Sequence, residues 1–379
     1  MKIAHVVGTF PPHPGGMGQV ALDECRELAA RGHHVTVFTM RYPGASYQLS
    51  SGEPFSVVRL HPWLKAGDAG AVPQLLFRLA GFDLVHLHYP WYGGAEWVWL
   101  AKWLRRQRYL VTYHLSAQPV GWFKRAVQIG YDLIWARTIL GNAEKLLVVD
   151  QEYFANSPWG LASWPAKIVE LPNGVDTAVF QPASRTVSAE KGERTILFVG
   201  NLMPVKRLDL LLLAMRQLSP DNVKLVVVGG GYDEKKYQKL TADYGLQTAV
   251  QFAGRCDDRE KLAEYYQQAT CLVVPSEAES FSLVALEAMA CGCPVIAADI
   301  PGLRARIIAG QDGFLFTPGS VADLVAKIKL LLSLSAAERR QMGERGRQKV
   351  LAQYSLEQHV NRLEEVYHLF LQTGKSESI

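Results

Sequence analysis

The chain has 379 residues, of which 49% are apolar and 20% charged, and its formal net charge is only +4. That length exceeds what one ordinary core supports, and the apolar share excludes wholesale disorder, so two domains of roughly 170 to 200 residues each are expected. The small charge, with no zinc-finger spacing or RNA-recognition motif, excludes nucleic acid as the principal partner.

In chain order, Ile3 to Val7 reads as a buried strand and the loop Thr9 to Gly18 follows it. Val20 to Arg31 has helical spacing, Gly32-His33-His34 stops it, and Val35 to Thr39 is the next strand, which together make a βαβ opening. Gly15-Gly16-Met17-Gly18 sits where strand meets helix, where backbone without Cβ atoms approaches a ligand closely and a helix start favours anions. Plain turn chemistry is the alternative. No G-x-G-x-x-G lies there, so the loop is not a dinucleotide fingerprint, which argues against a nicotinamide-dependent oxidoreductase. Strands at Leu84 to His88, Tyr109 to Tyr113 and Lys145 to Val149 alternate with helices, as in a doubly wound parallel sheet. His86 and His88 take alternate positions on the first of these and read as strand-end structure or ligand lining. His114 closes the second.

Residues 91 to 137 concentrate Trp91, Trp97, Trp99, Trp103, Trp122 and Trp135 among Lys102, Arg105, Arg106, Arg108, Lys124, Arg125 and Arg137. Tryptophan beside cations suits the bilayer interface with anionic lipid. The other reading makes these tryptophans core residues under an ordinary basic surface, and the sequence leaves both open.

A second copy of the architecture starts at Thr195 to Gly200 and continues through Lys224 to Val228, Val250 to Ala253, Cys271 to Val274 and Pro294 to Ala297. Between the copies, Leu171 to Arg194 is rich in proline, glycine, serine and charge, as a linker should be. The expected domains are 1–182 and 183–355, followed by an amphipathic helix from Leu356. The five cysteines, Cys25, Cys256, Cys271, Cys291 and Cys293, are odd in number and read as reduced core residues. No D-x-D pair, metal-spaced His/Cys cluster or H-E-x-x-H appears, so no metal and no resident cofactor is expected. The first apolar run is too short for a signal peptide and no stretch reaches about eighteen apolar residues, which points to a cytoplasmic protein, with peripheral attachment to the membrane's cytoplasmic face left open.

The segment Pro275 to Ile296 carries the most chemistry. Glu279 and Glu287 flank a strand-to-helix turn, with Phe281, Ala288-Met289-Ala290-Cys291-Gly292 and Pro294-Val295-Ile296 around them. Ligands of open α/β sheets bind at the carboxyl ends of strands, and the following helix start offers free N–H groups. Upstream, Gly200 to Arg207 leaves another strand and opens a helix.

Two glutamates with seven residues between, then Ala-Met-Ala-Cys-Gly-x-Pro-Val-Ile, resemble the signature of retaining glycosyltransferases of family 4, and the likeness spans essentially the whole chain. It implies the GT-B fold, an α/β architecture of two doubly wound Rossmann-like parallel-sheet domains facing across a cleft, with the C-terminal helix, about 356–379, packing back on the first domain. It further implies transfer of a hexose from a nucleotide diphosphate sugar to the hydroxyl of a glycan, lipid-linked or small polar acceptor. Glu287 would bind ribose and Glu279 the hexose, while the backbone of Ser280, Phe281, Ser282 and Leu283 would meet sugar and phosphate. Lys206 fits the family's diphosphate-binding lysine. Asn201 stands where the family has an arginine after Gly200, which leaves open whether Arg207 supplies that charge. The resemblance also puts Gly15 and Gly16 over the donor phosphate, Arg255 near the base and His114 near the transferred sugar. Ser280 and Ser282 replace frequent glycines. A non-catalytic nucleotide-sugar-binding subunit and a nucleotide-sugar epimerase of the same fold remain alternatives.

Overall fold

The computed structural model describes all residues except 14, 43–51, 115–121, 156, 158–163, 184–193, 219–222 and 377–379, with backbone alone at 122–125, 127 and 373–376. The chain divides into two compact units: Met1–Gly174 with the C-terminal helix Leu356–Ser376, and Val175–Ser355.

The N-terminal unit contains β1 (Lys2–Val6), β2 (His34–Met40), β3 (Ser56–Leu60), β4 (Leu64–Ala66), β5 (Ala69–Ala71), β6 (Leu84–Tyr89), β7 (Tyr109–Tyr113), β8 (Leu146–Val148) and β9 (Ile168–Glu170). β4 and β5 form a small antiparallel pair, and the others make one parallel sheet in the order β3-β2-β1-β6-β7-β8-β9. A parallel sheet is covered on both faces, which explains why β6 and β7 are buried along their whole length. Side-chain alternation sorts β7 between two cores: Tyr109, Val111 and Tyr113 enter one, Leu110 the other. The second core is closed by the helix Gly16–Ala30 and by Val360, Leu363, Val366, Tyr367 and Phe370, one stripe of the C-terminal helix.

On that same face lies an island of polar side chains. His5 on β1, His86 and His88 on β6, and Thr112 and His114 at the end of β7 meet Glu24, His359 and Tyr367 from the two covering helices. Burial alone would raise the Glu24 carboxyl, but the hydrogen bond and charge of His359 outweigh it and bring it down to about 2. Burial holds His5 down at about 4, against the pull of Glu24, and His86 and His88 well below the ordinary histidine range.

The C-terminal unit holds β10 (Arg194–Val199), β11 (Val223–Val228), β12 (Val250–Gly254), β13 (Cys271–Val274), β14 (Val295–Ala298) and β15 (Gly313–Phe316), all parallel, in the order β12-β11-β10-β13-β14-β15. In each sheet the first strand lies between two later ones, so the strand order reverses beside β1 and beside β10. The segment from Val175 belongs to this unit, whereas the sequence placed the division at 182/183. Val175 bridges Ser355, and the buried Phe180 ring stands 6.0 Å from Tyr266 with the Arg259 guanidinium 5.3 Å from its centre. β3, β9 and β15 are short sheet-edge strands that the sequence reading passed over.

Because Leu363 is fully buried beneath the N-terminal sheet, truncating it leaves a cavity there rather than trimming a dispensable tail. Leu363→Ala is expected to cost about 2–5 kcal/mol. Urea denaturation followed by tryptophan fluorescence checks this, and a loss below about 1 kcal/mol would mean the helix contributes little to that core.

Candidate functional site

β10 and β13 are neighbours at the strand-order reversal of the C-terminal sheet, and the loops leaving their carboxyl ends carry the charged residues. Ligands of such sheets bind there. The first loop runs from Gly200 through a single turn, Pro204–Lys206, to Arg207, which takes a left-handed conformation before the helix Leu208–Gln217. It packs backbone to backbone on the loop after β11: Gly200 N–H donates to Val228, Leu202 N–H to Gly230, and Asp233 N–H to Leu202. A Cβ on Gly229 would lie 1.9 Å from the Gly200 carbonyl oxygen, so only glycine fits.

The second loop is tied to the first by the Glu277 N–H, which donates to the Val205 carbonyl at 2.9 Å. The Lys206 ammonium then reaches Glu279 Oε1 at 2.6 Å, and the Ser276 hydroxyl donates to the same oxygen at 2.8 Å. Lys206 keeps 27% and Glu279 11% of its side chain exposed, so the pair is open to solvent on one side. After Glu279 and the half-buried Ser280, the Phe281 ring is buried against Tyr354, with the Arg306 guanidinium 4.4 Å from its centre. That anchor fixes the backbone before Ser282, which is left-handed at φ 67° and carries a buried hydroxyl without a hydrogen-bond partner. The helix Leu283–Ala290 starts directly after it, and its first N–H groups have no partner within the helix. Glu287, further along that helix, accepts the Tyr266 hydroxyl at 2.9 Å. The two glutamates thus sit in separate hydrogen-bonding environments. An ammonium beside a helix start suits an anion, and the flanking carboxylates suit hydroxyl groups.

The other predicted residues fall into place unevenly. Asn201 is exposed, and Arg207 cannot swing in freely for it: its Nε is 3.1 Å from Asp209 and its Nη1 meets Glu277. Arg255 pairs with Asp257 at 2.6 Å. Gly16 opens the helix Gly16–Ala30, where among the described residues a Cβ would meet nothing, and a Cβ on Gly15 just before it would come nearest to the Thr9 side chain. The close approach in that loop belongs to Gly18, where a Cβ would lie 2.5 Å from the Thr9 carbonyl oxygen. His114 is buried with Nε2 2.9 Å from His88, and burial lowers it to about 4, which keeps it neutral at pH 7. Among the tryptophans, Trp91 is buried and Trp97, Trp99 and Trp135 pack on the core, while Trp103 is 61% exposed; the Trp122, Lys124 and Arg125 side chains lie outside the described residues. Leu104, Ile129, Leu133 and Ile134 stand out beside Trp103 in the sequence segment as exposed apolar residues.

Residues 14–179 match the family described as Glycosyltransferase Family 4, and residues 180–349 the one described as Glycosyl transferases group 1. A D-inositol 3-phosphate glycosyltransferase of Geodermatophilus obscurus is 30% identical over 371 residues, covering 87% of this chain and 81% of the relative. One from Mycobacteroides abscessus is 31% identical, covering 84% and 77%. The chain belongs to glycosyltransferase family 4. Its fold is similar to that of the sucrose-phosphate synthase of Thermosynechococcus elongatus, with a TM-score of 0.78 at 26% identity over 98% of this chain and 100% of that one. Anabaena HepE in complex with UDP-glucose gives 0.77 at 19% identity over 97% and 99%. The architecture of this glycosyltransferase is therefore GT-B, two Rossmann-like parallel-sheet domains.

Sequence reasoning missed Ser276, Tyr266 and Gly302. The first two hold the glutamates, and serine and tyrosine at those places carry no motif. Gly302 matters through contact alone, since a Cβ would lie 2.2 Å from the Glu279 carbonyl oxygen. Among the described residues, one group suits a metal ion, and it is not here but in the polar island of the N-terminal unit. Gly302→Ala is expected to destabilise the glycosyltransferase by about 1–3 kcal/mol through overpacking on the Glu279 loop. Thermal melting of the variant checks this, and an unchanged midpoint would show that the loop yields at no cost.

Proposed function

We propose that the protein is a retaining hexosyltransferase whose C-terminal unit binds a nucleoside diphosphate sugar. The observation that carries this reading is the Lys206–Glu279 pair held in the loop that leads into the helix Leu283–Ala290, beside the strand-order reversal. An incoming diphosphate would take Lys206 from Glu279 and accept the free N–H groups of the helix start, and Glu279, released from the lysine, would accept sugar hydroxyls. Glu287 would accept those of the ribose. HepE, a protein of this fold, is described in complex with UDP-glucose, which is consistent with a nucleotide donor of that kind.

In this reading the reaction needs no metal, because the ammonium and the helix start carry the charge that develops on the departing diphosphate. The C–O bond between sugar and diphosphate breaks as the acceptor oxygen bonds to the same carbon on the same face, and the leaving phosphate oxygen takes the acceptor's proton. Glu279 and Glu287 hold separate partners, and eight residues at the helical rise of about 1.5 Å span roughly 12 Å, more than the about 5–5.5 Å between the paired carboxyl groups of retaining hydrolases, so no glycosyl-enzyme intermediate on either is part of the scheme.

The acceptor is proposed to be a lipid-linked or growing glycan reached at the cytoplasmic face of a membrane. Among the described residues no helix is long and apolar enough to cross a membrane. Supporting the peripheral reading, Trp103 and Leu104 are exposed on the helix Ala95–Arg105 next to exposed Arg105 and Arg106, and Leu133 and Ile134 are exposed shortly before exposed Arg137. The relatives' names favour a second acceptor class, a phosphorylated polyol. Labelled donor offered with membrane extract or with an inositol phosphate separates the two. Turnover with neither would leave the non-catalytic subunit, and a changed sugar without acceptor the epimerase.

Two outcomes are expected. Lys206→Ala should weaken nucleoside diphosphate binding by about 1.5–3 kcal/mol, the worth of a hydrogen bond to a charged group, and Glu287→Ala should weaken binding of the nucleoside portion. Unchanged calorimetric affinity in both variants would sink the donor site, and an inverted anomeric centre in the fresh product by NMR would sink the mechanism. Separately, sedimentation with vesicles should require anionic lipid and weaken with salt, since surface attraction is screened within about 8–10 Å at 0.1–0.15 M. Equal recovery on neutral vesicles, or none on either, would remove the membrane from the account.

A further inference from the structure

We propose that His5, His86, His88 and Glu24 form a closed zinc site in the interior of the N-terminal unit. One ligand atom from each of the four lies within 4.8 Å of the others, and all four side chains are buried. Around Glu24 Oε2, His88 Nε2 stands at 3.6 Å, His5 Nδ1 at 3.7 Å and His86 Nδ1 at 3.9 Å, while His5 Nδ1 and His88 Nε2 are 2.9 Å apart. Zinc bonded to nitrogen and oxygen at about 2.0–2.1 Å in a tetrahedron places neighbouring ligand atoms roughly 3.3 Å apart. The four atoms bracket that spacing, so small side-chain shifts close them on one ion.

A second observation points into the same place. Glu24 Oε2 is buried and has no hydrogen-bond partner, although its sister oxygen Oε1 is met by His359 Nε2 at 2.9 Å. A buried carboxylate oxygen left bare is costly, and three imidazole nitrogens face it at distances too long for hydrogen bonds. A cation between them satisfies the oxygen and takes the place of the His5–His88 and His86–Tyr367 hydrogen bonds that now occupy the three ring nitrogens.

The surroundings are those of a metal centre as well. Ligating imidazoles use their other nitrogen to bond an outer group that fixes ring and tautomer. His88 Nδ1 lies 2.9 Å from His114 Nε2, His86 Nε2 2.6 Å from the Thr112 hydroxyl and His5 Nε2 3.5 Å from the Tyr367 hydroxyl. Tyr367 also touches His86 Nδ1 at 2.6 Å, and the ion takes its place there, leaving the hydroxyl to His5. Three nitrogens and one oxygen, tetrahedral and fully enclosed, select zinc over magnesium or calcium, which favour more oxygen ligands. With four protein ligands and no exposed position the site is structural, not catalytic. It would join β1, β6 and the helix Gly16–Ala30, and through His359 the C-terminal helix.

The test uses the full-length chain, purified without an affinity tag and, because the site is enclosed, also refolded with Zn²⁺ or Co²⁺. Elemental analysis should find about one equivalent of metal, and the cobalt form should show the strong visible absorption of a tetrahedral centre. Refolding with a chelator should lower the thermal midpoint of the wild-type protein, and Zn²⁺ should restore it. Glu24→Gln and His88→Ala should lose the metal, and Thr112→Val, which keeps all four ligands, should weaken binding by about 10- to 100-fold. Metal below a tenth of an equivalent after refolding with Zn²⁺, or full occupancy in both ligand variants, would overturn the site. The wild-type measurements decide even where a variant fails to fold.

Discussion

Backbone packed directly on backbone at the carboxyl end of β10 is the constraint on which the charged loops of the C-terminal unit depend. Gly229 rests on the Gly200 carbonyl, and a Cβ on Gly231 would lie 2.8 Å from the Leu202 backbone. With no side chain between them, the loops after β10 and β11 have one relative position. That position aims the turn Pro204–Lys206 toward the loop after β13, where Glu277 N–H and Glu279 complete the junction. Gly302 applies the same device to the Glu279 loop, where a Cβ would meet the Glu279 carbonyl oxygen. Because hydrogen-bonded backbone rather than flexible side chain sets the spacing, the lysine is held before any ligand arrives, which is how a site lowers the entropic cost of binding.

In the proposed donor site the Lys206–Glu279 pair would also decide what kind of ligand the loops take. A half-exposed ion pair gains little by itself, since solvent screens it and two long side chains must be ordered. Here the ordering is already supplied by Ser276 and by the loop junction. On that proposal an anion with hydroxyl groups one or two bonds away would replace both halves at once, a phosphate for the lysine and a polyol for the carboxylate, whereas a bare anion would strand Glu279. With Asn201 neutral and Arg207 engaged by Asp209 and Glu277, Lys206 is the cation that these two loops hold against Glu279.

Much of this was legible because it is local. The β-strands of both sheets that sit centrally announce themselves as short apolar runs, and Glu279, Phe281 and Glu287 fall in one segment whose pattern resembles a family. What stayed hidden depends on distance along the chain. Nothing in Tyr266 as a residue type says that its hydroxyl meets Glu287, and Gly302 is indistinguishable from a turn glycine until its neighbour is known. Phe180 reads as linker because its segment is polar, yet its ring is buried in the C-terminal unit. The tryptophan-rich stretch divides for a similar reason: a helix such as Ala95–Arg105 turns one face inward and one outward, and composition does not tell which tryptophan takes which.

The two sheets share a strand-order reversal and differ in the polar groups found beside it. In the C-terminal unit the crevice beside β10 is left with partly exposed charge, which is what a ligand site requires. In the N-terminal unit the sheet face beside β1, under the two covering helices, is filled from within by His5, His86 and His88 and capped by Glu24, His359 and Tyr367. Apolar side chains would fill that volume at less cost, since every polar group buried there must be satisfied. The hydrogen bonds do satisfy nearly all of them, through Thr112, His114, Tyr367 and the Pro172 carbonyl, and the exception is a single carboxylate oxygen facing three ring nitrogens. A histidine at every second position of β6 puts two rings on one face, but the partners that give those rings meaning come from residues 5 and 24 on separate elements. Spacing rules written for a single loop or helix are blind to such a set, which exists only once the sheet has formed.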